Sequence, residues 1–367
     1  MNNKISKFQI GMFLALICSS LYLGLSNIIL LRKSGNEVLI SMLVGTILGL
    51  IPIFMYLKIN SSLPKLNIYQ KNTALFGKFF GNIINILYIL IYIVMLIIAT
   101  RSIVVFVTSK YLLNTPYIFV GLLVIITCLI ICFKGLETIA RMSQLMFIAS
   151  LLFVIIIEIS LIQFIEIKNI LPIFTSNNFI FNIIDGAIYH VGSVSLLTML
   201  LLAINKSKIK DQKNFNITII IFYLLSSLSL AVVMFFVISC FGYNLASLFR
   251  YPEYILLKKI NISSSELHLE NLLAFRWIFY AIALVNISLY GIICGIKNYI
   301  KKVKLSNIII IIIAVICIII GDTVFKYVPK TIILIKDYYI PFIAIPMFLI
   351  LLITFIRCLF LKKESKN

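Results

Sequence analysis

Cys18-Ser19-Ser20-Leu21-Tyr22-Leu23-Gly24 and Gly186-Ala187-Ile188-Tyr189-His190-Val191-Gly192-Ser193 are polar, small-residue interruptions in otherwise apolar runs. Each falls at mid-depth of a segment long enough to cross a bilayer, and that placement decides how the rest is read. About 20 apolar residues make one transmembrane helix. Ten such runs can be drawn: 8–31, 38–57, 80–106, 117–133, 142–165, 183–204, 215–241, 271–294, 305–321 and 338–360. The interruptions sit in the first and the sixth. Ten spans with both ends on one side divide into two halves of five, and an odd number forces the halves to be inverted relative to each other. Inverted repeats with discontinuous helices near the midplane are a common secondary-transporter architecture, with the ligand between the repeats. The expected fold is an all-α integral membrane domain over 1–360, with two inverted five-helix repeats and broken helices 1 and 6. A polar cytoplasmic tail, 361–367, follows.

Composition points the same way. Of 367 residues 62% are hydrophobic and 12% charged, about half the charged share of an ordinary soluble domain. A soluble enzyme or nucleic-acid binder is excluded on that ground. The net charge of +20 does not bring nucleic acid back, because Lys and Arg sit mostly between the apolar runs, as loop anchors. The N-terminus, the even-numbered loops and the C-terminus carry twice as many of them as the odd-numbered loops, with Arg101 and Arg276 set aside as lying inside spans. The positive-inside rule then places both termini in the cytoplasm. Lys4 and Lys7 ahead of Phe8–Leu31 resemble a signal peptide, but the run is too long and lacks a small-x-small cleavage site. Ile17 is bulky where a lipoprotein signal at Cys18 wants a small residue, so the run reads as an uncleaved first span.

The seven cysteines lie in or at the ends of apolar runs without a CxxC, which reads as membrane-buried free thiols and no metal site. GxSxG, Walker A, GxGxxG and HExxH are absent, and no loop has room for a nucleotide domain. No enzyme activity and no cofactor are expected.

Several short stretches, in order and spacing, resemble the spore germination permease family, the membrane B subunit of nutrient germinant receptors within the amino acid–polyamine–organocation transporter superfamily. They are Lys4-Ile5-Ser6-Lys7-Phe8-Gln9, Leu63-Pro64-Lys65, Leu75-Phe76-Gly77-Lys78-Phe79-Phe80-Gly81 and Asn114-Thr115-Pro116. Lys134-Gly135-Leu136-Glu137-Thr138-Ile139-Ala140-Arg141 is the most specific, and Leu171-Pro172, Phe241-Gly242, Pro252 and Trp277 complete the set. The chain departs from the family at Cys18-Ser19-Ser20, where a glycine is usual. It departs again at Leu267-His268-Leu269-Glu270, where an acidic-Arg-apolar-acidic string is usual. The resemblance implies a spore inner-membrane location, a small amino-acid-like germinant as ligand, and A and C partner subunits, the latter a lipoprotein.

The candidate ligand-binding residues are Ser19, Ser20, Tyr22, Gly186, Tyr189, His190 and Gly192. If the first span unwinds, freed backbone N–H groups face an anionic group such as a carboxylate; if not, the serine hydroxyls bond back to the preceding turn. His190 either lines the cavity, where its ordinary titration range lies near neutrality, or packs neutral against a carbonyl. Arg101 and Glu158 are possible buried charges. On insertion scales an ionised residue at the centre of a span costs about 2.5–3.5 kcal/mol, so Arg101 faces a cavity, finds a partner or reaches the outer headgroups. Glu158 is either its partner or a proton-linked carboxylate. Gly135, Glu137 and Arg141 form a cytoplasmic loop motif, with Glu137 and Arg141 on one helix face. Asn286, Ser288 and Tyr290 add polar groups in span eight. Two functions fit: a germinant-sensing subunit that binds ligand between the breaks and signals to partners, and a proton- or cation-coupled amino acid transporter. A membrane scaffold that binds nothing is a third.

Overall fold

A computed structural model describes residues 4–22, 26–174, 177–259, 268–324 and 335–361. Leu23 and Gly24 of the first interruption, Leu267, and 362–367 of the tail lie outside the described residues. Helix α1, Lys7–Ser19, starts on a capping box: Ser6 accepts from the Phe8 amide while Gln9 Oε1 accepts from the Ser6 amide at 2.9 Å, which satisfies two orphan N–H groups at the helix start. It stops where the sequence turns polar, and the Ser20 hydroxyl donates back to the Ile17 carbonyl at 2.6 Å. Helix α2 resumes at Asn27 and runs to Ser34. The first span is therefore two half-helices.

The second span is α3, Val38–Leu48, and α4, Leu50–Ser61, joined at Gly49. A side chain at Gly49 would collide with the Tyr223 hydroxyl and Ser195, so the close approach requires glycine. Helix α5, Ile68–Lys110, bends at Gly77, where φ is +76°. Its first arm occupies part of what the sequence suggests is a loop, because Asn67 and Gln70 form a second capping box. Buried Lys71 there donates to the carbonyls of Ile59 and Asn60 at 2.9 and 3.3 Å, satisfying orphan acceptors at the end of α4. Helices α6, Tyr117–Lys134, and α7, Leu136–Leu161, are separated by Gly135 alone, at φ +106°. That left-handed region suits glycine and explains its place in the loop motif.

The second half opens with α8, Phe179–Ser193, which breaks at Val194 into a 3-10 helix over Ser195–Ala203. Helices α9, Phe215–Ala246, α10, Pro252–Lys259, α11, Leu269–Tyr299, and α12, Val303–Val324, follow. The loop expected at 242–270 thus contains a helix, α10. The last span, α13, Ile335–Leu359, carries a π turn over Ile340–Ala344, where Pro341 and Pro346 each lack an N–H for the ladder. Among the described residues nine helical stretches are long and apolar enough to cross a membrane. That count joins α2 to α3 and α4 and omits α1 as too short; with α1 and α2 taken as one broken span, the architecture is the ten-span one.

Helix α11 is enclosed by its neighbours, whereas α12 leaves a row of isoleucines, including Ile308, Ile312, Ile316 and Ile319, exposed. Such an apolar outer surface suits lipid rather than water. One face of the bundle is tied together by polar segments. Strand β1, Ile5–Ser6, pairs in parallel with strand β2, Ile209–Lys210. Lys7 forms an ion pair with Asp211 at 2.9 Å. Asn205 donates to the Lys65 carbonyl and Lys206 to Ser61. The N-terminal segment and loops two and six therefore share one side, as the charge count requires.

Candidate functional site

The first break meets the last turns of α8, just ahead of the second break. The Tyr189 hydroxyl of α8 donates to Ser26 Oγ, just before α2, at 3.4 Å, and Ser26 makes no side-chain cap to the first turn of α2. Ser26 keeps helical φ and ψ, and its N–H donates to the Leu21 carbonyl at 2.9 Å, so the Tyr189 and Ser26 hydroxyls are the polar groups offered here. Around it the packing is close. A side chain at Gly186 would collide with Ser34 and Ser41, so this glycine lets α8 approach α2 and α3. The Gly192 carbonyl accepts from the Tyr339 hydroxyl at 2.9 Å, and Gly192 lines an apolar recess of about 300 Å³ beside α4 and α13. Tyr22 is fully buried with its hydroxyl 3.4 Å from Met42 Sδ. Asn27 donates to Glu253 Oε2 at 2.7 Å, which ties α2 to α10, and Lys33 pairs with Asp185 at 2.8 Å.

His190 is fully buried and faces α3 and α9. Its tautomer follows from the chain of bonds around it. The single Thr46 proton goes to the Met42 carbonyl at 2.7 Å. Ser227 must then donate across its 2.6 Å contact with Thr46. His190 Nε2 in turn carries the proton donated to Ser227 at 2.8 Å. Nδ1 is left as a buried lone pair with no partner among the described residues. Tautomers are assigned by such networks.

The buried charges separate. Arg101 pairs with Asp322 of α12 at 3.0 Å and lies over the Tyr117 ring at 4.7 Å. Glu158 is not its partner. Glu158 lies across from Arg276, the charge that acts on it, and both line a cavity of about 280 Å³ among α1, α7, α9 and α11. Ser19 also lines it, whereas Tyr22, Tyr189 and His190 do not. Arg276 is 1% exposed. Its Nε donates to the Tyr280 hydroxyl at 2.6 Å and its Nη2 to Ser229 at 2.9 Å, and Tyr280 bonds Ser150 of α7 at 2.7 Å. Sequence reading sets Arg276 aside as a span residue. The available signal was Arg276 and Tyr280 four apart on one face of an apolar helix. Glu137 and Arg141 form an exposed i,i+4 ion pair, and Tyr290 accepts from Lys208 at 3.2 Å.

The half-helices in spans one and six, embedded in a ten-span bundle, define a LeuT-type transporter fold. The chain matches MhsT in complex with L-phenylalanine with a TM-score of 0.61 at 14% identity, over 92% of this chain and 87% of that one. A Na+-coupled sialic acid symporter in a substrate-bound outward-open state matches with a TM-score of 0.60 at 11% identity, over 91% and 77%. A manganese transporter of Eremococcus coleocola matches with 0.57 at 14% identity, over 96% and 76%. These likenesses are of fold. Residues 4–324 match the profile of the spore germination protein family, and the chain belongs to that family. It is also 25% identical over 302 residues, 82% of each chain, to YfkT of Bacillus subtilis (strain 168), which carries the name of a spore germination protein.

Proposed function

We propose that this germination-family membrane protein senses a small amino-acid-like germinant between its broken helices 1 and 6 and signals to partner subunits, without enzymatic activity. The observation that carries this reading is the Tyr189–Ser26 contact, which joins the first break to the last turns of α8. An amino acid carboxylate that accepts from these two hydroxyls competes with that contact and so binds one arrangement of the half-helices better than the other, which is what a ligand needs to shift a conformational equilibrium. The partners implied by the family are an A and a C subunit; the protein would sit in the spore inner membrane with both termini on the cytoplasmic, core side. The lysine-bearing face around β2 and the segment around α10 are the surfaces offered to those partners.

The test is germination of spores lacking this gene on a panel of free amino acids, with rescue by wild type, Ser26→Ala or Tyr189→Phe. Loss of response to particular amino acids, restored fully by wild type and weakly by the variants, is the expected result. Normal germination of the null spores on every nutrient, together with gradient-dependent amino acid uptake lost in the same strain, would falsify the sensor reading. That outcome favours a proton- or cation-coupled amino acid transporter, for which Glu158 facing Arg276 inside the spans is the supporting observation.

A further inference from the structure

The cavity among α1, α7, α9 and α11 carries two opposite charges that do not neutralise each other directly. Glu158 makes no hydrogen bond and no ion pair with any described residue, and its influential charge is Arg276. Arg276 spends two nitrogens on the neutral hydroxyls of Tyr280 and Ser229, while Nη1 has no partner among the described residues. A charged group inside a span faces a partner or a polar cavity, and an ionised carboxylate without hydrogen bonds is costly where water is scarce. Both groups therefore have bonding capacity directed to the same recess, which is partly open where Leu151, Leu225 and Val232 are exposed. Leu151, Val154, Leu225 and Val232 supply its apolar lining. At about 280 Å³ it falls just under the ~300–1,000 Å³ typical of pockets for drug-sized ligands, which suits a smaller molecule.

We propose that this cavity is a binding site for a free, zwitterionic aliphatic amino acid, with the carboxylate on Arg276, the ammonium on Glu158 and the side chain among Leu151, Val154 and Val232. The hydroxyl bonds from Tyr280 and Ser229 hold the guanidinium plane in place without consuming its charge, so it remains available to an incoming carboxylate. Ser19 at the end of α1 also borders the cavity, so an occupant here touches the chain next to the first break. The inference rests on the proposed function for the ligand class alone and places the ligand at a different seat.

The experiment uses the purified full chain in detergent, with binding of L-alanine, L-valine and L-leucine measured directly. For the tightest of the three, the decarboxylated amine and the deaminated acid serve as competitors. Losing a charge-assisted contact costs about ten- to a hundredfold in affinity. Wild type is expected to prefer the amino acid over both analogues by about that factor. Glu158→Gln removes the preference over the deaminated acid, and Arg276→Met removes the preference over the amine. Because Arg276→Met also frees Tyr280 and Ser229, Val232→Trp is the second variant: it fills the mouth of the cavity, leaves both charges, and weakens binding. Unchanged thermal midpoints and monodisperse elution of Glu158→Gln and Val232→Trp secure the comparison. Wild-type affinity retained in both of those variants overturns the inference. If binding is instead lost in Ser26→Ala or Tyr189→Phe, the proposed function stands with its seat between the breaks. Absence of binding of all three amino acids to wild type overturns both.

Discussion

Arg101 and Arg276 are both buried in apolar spans, 5% and 1% exposed, yet their surroundings solve the same problem in opposite ways. Arg101, toward the end of α5, meets the carboxylate of Asp322 and the face of Tyr117. Its charge is neutralised in place, and the cluster fastens α5 to α6 and α12. Arg276, two turns into α11, meets only hydroxyls directly, and the carboxylate of Glu158 lines the same cavity without pairing with it. A carboxylate partner makes a buried arginine a structural fastener. Hydroxyl partners fix its direction and leave its charge to act on something else.

The comparison can be broken by measuring stability in detergent. Asp322→Asn is expected to cost the most, about 1–2 kcal/mol. Breaking a buried pair costs about 3–5 kcal/mol, and Asp322 is 43% exposed, so solvent screens part of the loss. It is read as a lower thermal or denaturant midpoint. Arg276→Lys is expected to lose about 1–1.5 kcal/mol, since an ammonium cannot hold Tyr280 and Ser229 in one plane; Arg101→Lys, which keeps a cation beside Asp322, should lose less. A greater loss in Arg101→Lys would contradict the contrast. Tyr280→Phe is expected to cost about 1 kcal/mol through its bonds to Arg276 and Ser150, and a double-mutant cycle with Ser150→Ala should show coupling.

The Lys7–Asp211 pair, with Asp211 exposed, gives the contrast from the water side. Lys7 holds the Asp211 carboxyl below its ordinary value of 3.8. A depressed carboxyl stabilises the folded state above the unfolded value and loses that contribution as pH falls through the folded one. The β1–β2 ladder should therefore loosen only below about pH 4, with faster amide exchange at its paired residues, and Asp211→Asn should abolish that pH dependence. Glu158→Gln is expected to leave the midpoint unchanged or slightly raised, because it breaks no bond. A loss as large as that of Asp322→Asn would show that Glu158 is a structural partner after all.

Some of the site was legible beforehand and some was not. Ser19 and Ser20 mark a helix interruption because polar residues stand out against Ile and Leu, and the structure ends α1 there, whereas Gly186 lies inside α8 and the second break comes at Val194. The glycine of the Lys134–Arg141 motif, Gly135, is explained by its positive φ. The partner of Arg101 was not legible, because Asp322 lies on a helix distant in sequence. His190 draws attention by its rarity in a span, but that it points to Ser227 and Thr46 depends on the rotation of α8. Arg276 is visible as a charge inside a span, but nothing local in the sequence shows what it faces.

The membrane architecture is written along the chain: ten apolar runs, two of them interrupted, and basic loops gathered on one face. Lipid imposes length and hydrophobicity on each span independently of its neighbours, so these features are written locally. Which polar groups meet is settled by packing alone: Tyr189 with Ser26, His190 with Ser227, Arg101 with Asp322, and Arg276 in the same cavity as Glu158. Spans rich in isoleucine on every side carry little periodic signal for their own rotation. The pairings follow instead from how small residues such as Gly49 and Gly186 let the helices approach one another.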